Sequence, residues 1–88
     1  MDIEWDKAKA VTNQKKHKVS FVDAAIVLND PLSVTLIEDT STNEERFVNI
    51  GMDGCGCVLV VVYTYRNDKI RIISARRATN NERRQYEE

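Results

Sequence analysis

From Val58 to Arg66 almost every residue is β-branched or aromatic, and Asn67-Asp68 then separates this run from a second one, Lys69–Arg76, in which apolar and basic residues mix. Two strand-forming runs joined by a turn-forming pair define a β-hairpin, and a hairpin this long commits a small chain to building its core against an antiparallel sheet. A two-residue turn also fixes the register: Arg66 faces Lys69, Tyr65 faces Ile70, Thr64 faces Arg71 and Tyr63 faces Ile72. Because side chains alternate between the faces of a strand, Leu59, Val61, Tyr63, Tyr65, Ile70 and Ile72 share one face and read as core. The other face carries Thr64, Arg66, Lys69 and Arg71 beside the turn and becomes apolar at Val60, Val62 and Ile73. Simple alternation puts Arg76 on the opposite face from Arg71.

The rest of the chain supplies what must pack on this hairpin. Ile3–Trp5 reads as a short strand or an extended arm. Asp6 is suited to cap a helix starting at Lys7, which breaks at His17-Lys18. Ser20 caps a second helix of about two turns, in which Phe21, Ala24, Ala25 and Leu28 fall at helical spacing. Asn29-Asp30-Pro31 stops it, because the residue before a proline is pushed out of the helical region. Ser33–Ile37 and Arg46–Ile50 read as strands, separated by a polar loop at Asp39–Asn43, and Gly51–Gly56 reads as a turn. Thr79, with Glu82 three residues on, is a capping box that opens a polar helix through Tyr86. The expected fold is α+β: two N-terminal helices, a four-stranded antiparallel sheet and a C-terminal helix. The 88 residues form a single domain, 1–88.

Charge is unevenly spread over a chain whose net charge is −1. Residues 1–31 balance; residues 32–56 set Arg46 against five acids; residues 57–88 set seven bases against four acids. A weakly acidic protein with one basic stretch makes a poor non-specific coat for nucleic acid, yet it suits a site that grips one or two phosphates. No apolar run approaches the ~18 residues of a membrane span, and the N-terminus lacks the basic and apolar regions of a signal peptide. Cys55 and Cys57 are too few for a disulfide scaffold, and with the single His17 they offer too few ligands for a structural zinc. A reducing cytoplasm is the expected location, with no membrane partner and no metal or other cofactor.

Several residues carry two readings. The group Thr64, Arg66, Lys69 and Arg71 is either a phosphate grip, since guanidinium groups match phosphate oxygens two at a time, or a solvated sheet face. His17 is either an acid/base group or a cation favoured at a helix C-terminus. Lys16, beside Lys15, either touches phosphate or belongs to a solvated helix face. Trp5 is a core anchor or a platform for a stacked base. Glu44-Glu45-Arg46 is an acid/base pair with a clamp or a charged strand start, and Cys55-Gly56-Cys57 is a turn with incidental thiols.

The ordered set of motifs resembles one family. Glu4-Trp5-Asp6 with Lys9, Asn13, Lys16-His17 and Val19-Ser20-Phe21 is similar to the start of the BrnT toxins, and so is Asn29-Asp30-Pro31-Leu32. Glu44-Glu45-Arg46-Phe47 with Ile50-Gly51 matches the middle. Val60–Arg66, Ile70–Thr79, Glu82-Arg83 and Tyr86 match the C-terminal half. The sequence departs from the family pattern at Lys7, where proline is usual, at Lys18, where glycine usually ends the first helix, and at Tyr63, where many members carry histidine.

The resemblance implies a RelE-like α+β toxin that cleaves RNA and inhibits growth. It also implies a BrnA-type antitoxin with a ribbon-helix-helix domain, through which alone the complex would meet operator DNA. It places Thr64, Arg66, Arg71 and Arg76 in the family's motif, overlapping the group found by register. The expected chemistry is metal-independent: a ribose 2′-OH attacks the adjacent phosphate, Arg66 and Arg71 hold the developing charge, Thr64 positions an oxygen or an arginine, and Arg76 is a second clamp. His17, Lys16 and Glu45 are the candidate bases, with Lys16, Lys69, Arg77 and Trp5 expected along the RNA. The alternative is a non-catalytic module whose basic sheet face docks an acidic partner.

Overall fold

The computed structural model describes residues 2–37 and 45–87; the expected loop Asp39–Asn43, and Glu44, lie outside them. The elements run β1 (Ile3–Trp5), α1 (Lys7–His17), α2 (Phe21–Leu28), β2 (Val34–Ile37), β3 (Phe47–Met52), β4 (Val58–Arg66), β5 (Lys69–Arg77) and α3 (Asn80–Glu87). The sheet order is β1-β5-β4-β3-β2. The α+β class holds, but among the described residues the sheet has five strands and is mixed. β2 to β5 form the expected antiparallel meander, whereas β1 joins the outer side of β5 in parallel, with Ile3 opposite Ile70 and Trp5 opposite Ile72. The N-terminal segment is therefore a strand and not an arm, and β3 runs two residues into the expected turn.

Local chemistry explains the helix ends. The Asp6 carboxylate accepts from the Ala8 and Lys9 amides, and the Ser20 hydroxyl accepts from the Asp23 amide, each satisfying donors that a first helical turn leaves over. α1 ends on Lys18 in the left-handed conformation, at φ 59°. Thr79 and Glu82 form the expected capping box, the Thr79 amide donating to Glu82 Oε1 at 2.8 Å and the Glu82 amide to Thr79 Oγ1 at 3.3 Å.

The hairpin register is the one the turn dictates. Asn67 and Asp68 both have positive φ, as a two-residue hairpin turn requires. The pairs Arg66–Lys69, Tyr65–Ile70, Thr64–Arg71 and Tyr63–Ile72 all form. One residue later the register slips, because Val62 pairs with Ser74 and Ile73 is left over as a bulge. The bulge reverses the facing of all that follows in β5. Ala75 joins the core opposite Val61, while Arg76 moves to the face of Arg71, correcting the placement that simple alternation gave.

α2 covers one face of the sheet. Phe21, Ala24 and Val27 bury against Leu59, Val61, Tyr63, Ile72 and Ala75. Gly51 permits this approach, since a Cβ there would lie 3.0 Å from both Val27 Cγ1 and Ser33 Cβ. On the other face α3 covers only one end, laying Tyr86 and Ala78 over Ile50, Val58 and Val60. α1 takes the edge of β5 beyond β1. There the buried Asn13 replaces a strand: its Nδ2 donates to Ala75 O at 2.9 Å and to Val19 O at 3.0 Å, and its Oδ1 accepts from the Ala75 amide at 3.1 Å.

Candidate phosphate-binding face

The sheet face that α3 leaves open carries the candidate site. Reading across the strands, Glu4 on β1 stands opposite Arg71 on β5, which stands opposite Thr64 on β4. The next row toward the turn holds Lys69 opposite Arg66, both exposed. Beyond the bulge the same face carries Ser74 and then Arg76. The bulge thus aligns three cationic positions of β5, Lys69, Arg71 and Arg76, on one side of the sheet.

Beside this face, where α1 meets β5, lies a groove of about 310 Å³ lined by Lys9, Thr12, Lys16 and His17 from the helix and by Ile73 and Ser74 from the bulge. Lys16 and His17 come here because Asn13, one turn earlier, is bonded to the β5 edge. The spacing of residues within α1 then sets them over Ser74. The structure sets Lys16 and His17 beside Ile73 and Ser74 of β5, a proximity that no sequence distance suggests.

Among the described residues, Arg71 and Arg76 are held in place by carboxylates. Arg71 Nη1 donates to Glu4 Oε2 at 2.6 Å. Arg76 grips Glu82 with both ends of its fork, Nη1 to Oε1 and Nη2 to Oε2, each at 2.8 Å. That grip, helped by the Thr79 amide, pulls the Glu82 carboxyl down to about 2, and Glu82 in turn raises Arg76 above its usual range. Thr64 is only 2% exposed, and its hydroxyl donates to the Glu45 carbonyl at 2.7 Å. Its contact is thus with the chain entering β3. Glu45 itself is exposed.

Other expected residues stand apart. Arg77 follows the bulge onto the helix-covered side, opposite Leu59 and away from Arg76. Trp5 is half-buried and meets Phe21 edge-on, ring centroids 6.1 Å apart, so it anchors β1 to α2. Tyr63, where many relatives were expected to carry histidine, lies in the core, stacked on Phe47 and donating to Asn49 Oδ1 at 2.9 Å. Burial pushes its hydroxyl above the ordinary range. The hairpin alone gives no sign of Glu4, whose partner is 67 residues away; the alternation Ile3-Glu4-Trp5, read as a strand, is the available signal. Nor does it give Ser74, which only the bulge turns outward.

Planar guanidinium forks and an ammonium share an open sheet face, near a groove lined by lysines and a histidine, and such donors have the chemistry to hold a polyanionic backbone. The chain belongs to the BrnT family: the family model described as the ribonuclease toxin BrnT of type II toxin–antitoxin systems matches residues 5–82. Membership makes it a toxin of the ribonuclease class and implies an antitoxin partner and an RNA substrate. The fold is similar to the crystal structure of the Brucella abortus ribonuclease toxin BrnT, with a TM-score of 0.67 and 25% identity, over 91% of this chain and 99% of that one. No curated protein matches the chain. No helix among the described residues is long and apolar enough to cross a membrane.

Proposed function

We propose that this chain is a metal-independent endoribonuclease that cuts RNA on the open face of its sheet, inhibits translation and growth in the cytoplasm, and is neutralised by a BrnA-type ribbon-helix-helix antitoxin. The observation that carries this reading is the group Arg66, Lys69 and Arg71 across the hairpin end, on the sheet face that also carries Ser74 of the Lys16–His17 groove. The ribose 2′-oxygen attacks the adjacent phosphorus, and the leaving 5′-oxygen departs to give a 2′,3′-cyclic phosphate. Charge builds on the non-bridging oxygens during the attack, and guanidinium donors fixed on a rigid strand need no reorganisation to meet it. Arg71 is the central donor and Arg66 the second. Lys16, Lys69 and His17 hold the flanking backbone. Arg76, already gripped by Glu82, shapes the far end of the face. Thr64 fixes the chain entering β3 beside Arg71. The antitoxin would suppress cleavage by covering the basic face with acidic groups, and would carry the toxin to operator DNA.

The test is cleavage of single-stranded and ribosome-bound RNA by purified protein in excess EDTA, with and without the antitoxin encoded beside it. Cleavage that EDTA spares and the antitoxin abolishes is the expected result. No cleavage of either RNA at any stoichiometry, with a tight complex still forming, would replace this reading by that of a non-catalytic module docking an acidic partner.

A further inference from the structure

The parallel pairing of β1 with β5 brings a carboxylate into the basic face. Glu4 Oε2 lies 2.6 Å from Arg71 Nη1, and the Glu4 side chain is 33% exposed, open to a ligand on that face. Three other carboxylates are engaged elsewhere, and Glu45 meets Thr64 through its main-chain carbonyl. Glu82 has both oxygens on Arg76. Asp6 caps α1 through two amides, and Asp30 accepts from the Leu32 and Met52 amides and the Tyr86 hydroxyl. Glu4 is bonded through one oxygen, to one donor, among the described residues, and that donor is the arginine at the centre of the face.

We infer that Glu4 is the general base of the cleavage reaction, which rests on the ribonuclease reading given above. A guanidinium has five N–H donors, so Arg71 can bond Glu4 along one edge and a phosphate along another. A carboxylate and a phosphate on adjacent edges of one planar group sit a few ångströms apart, and the attacking 2′-OH is attached to the sugar carrying that phosphate. The base is therefore delivered by the residue that binds the reacting group, within the hydrogen-bond reach that proton transfer needs. In the step, the 2′-O–H bond breaks and its proton passes to a Glu4 oxygen. The 2′-oxygen bonds to phosphorus, the bond from phosphorus to the 5′-oxygen breaks, and the 5′-oxygen takes a proton from solvent. Glu4 then returns its proton to solvent.

The competing account is that Glu4 only fastens the edge strand. Glu4→Gln separates the two, because an amide oxygen still accepts from Arg71 but is a negligible base. The turnover rate should fall by about 10²-fold or more, while KM stays level or drops, since a negative charge has left an RNA-binding face. An oligonucleotide with a 2′-deoxy sugar at the cut site, which cannot react, should bind the variant at least as tightly as the wild type. Glu4→Asp should recover part of the rate. Cleavage by Glu4→Gln within about 3-fold of wild type, weakened binding of the deoxy oligonucleotide in step with the rate, or loss of the variant's unfolding transition would each overturn the assignment while leaving the ribonuclease reading intact. A wild-type protein that cuts no RNA would remove both.

Discussion

Arg76 and Glu82 face each other in a two-pronged ion pair, with both oxygen–nitrogen distances at 2.8 Å, and this pair fastens α3 to β5. The geometry has a pH signature. The Glu82 carboxyl sits at about 2 in the folded chain, below its ordinary 4.5, so the unfolded chain binds its proton first as pH falls. The pair's contribution to stability is therefore complete above about pH 5 and disappears as pH drops through 4 toward 2. Both side chains are partly exposed, so solvent screening holds the contribution to ~1 kcal/mol. Glu82→Gln should be less stable than wild type by that amount at pH 7 and nearly equal at pH 2. Urea titrations across this range check it, and a gap that does not close on acidification would show that the pair is not its source.

Site and scaffold should separate on the open face. Arg66→Ala and Arg71→Ala should each shift stability by less than ~1 kcal/mol, as exposed or half-exposed strand positions do. The same changes should lower cleavage on the order of 10²-fold, the usual effect of losing one charge-stabilising donor. Arg→Lys should restore only part of it, since an ammonium lacks the planar fork. Leu59→Ala, at a position 2% exposed, should lose ~2–5 kcal/mol of stability while the folded fraction keeps its specific activity. Denaturation and cleavage measured side by side decide. Arginine variants that cleave at the wild-type rate would take the active site off this face.

Much of this was legible locally. Asp6, Ser20 and Thr79 announced helix starts because a cap acts within three residues. Asn67-Asp68 set the hairpin register because both residues accept positive φ. Two features were not legible. The extra residue at Ile73 leaves no mark in β-propensity, so period-two counting carried Arg76 to the wrong face and kept Arg77 with the basic group. The parallel seat of β1 is a long-range choice, and Glu4 met Arg71 only once it was made. The basic group itself was found from the hairpin alone; what surrounds it, from α1 and β1, was not.

Asn13 should be among the polar residues most sensitive to change. It is 6% exposed and makes three bonds to main-chain groups at the β5 edge and at Val19. Asn13→Ala strands a buried amide and two carbonyls, each worth roughly 1–3 kcal/mol when unsatisfied, with entering water recovering part. A loss of ~2–4 kcal/mol in urea denaturation is expected. Asn13→Asp should do no better, since it presents an acceptor where two carbonyls need a donor. Variants within ~1 kcal/mol of wild type would mean that α1 is not held to the sheet by this side chain.

Lys18 should yield stability when changed to glycine. It ends α1 at φ 59° and ψ 29°, its amide donating to Gln14 O at 3.0 Å. A residue with a Cβ pays roughly 1–2 kcal/mol in this conformation, which glycine escapes, though glycine gives up part of that gain through its freer unfolded chain. Losing one cation at the helix C-terminus subtracts little, because Lys15, Lys16 and His17 remain in the last turn. Lys18→Gly should therefore gain ~0.5–1 kcal/mol, raising the melting temperature by about 2–8 °C for a domain of this size. Lys18→Ala is the control: it removes the same charge but keeps the Cβ, and should stay within ~0.5 kcal/mol of wild type. Thermal unfolding of the three proteins settles the cause. Equal melting temperatures for the glycine and alanine variants would rule out backbone strain at this position.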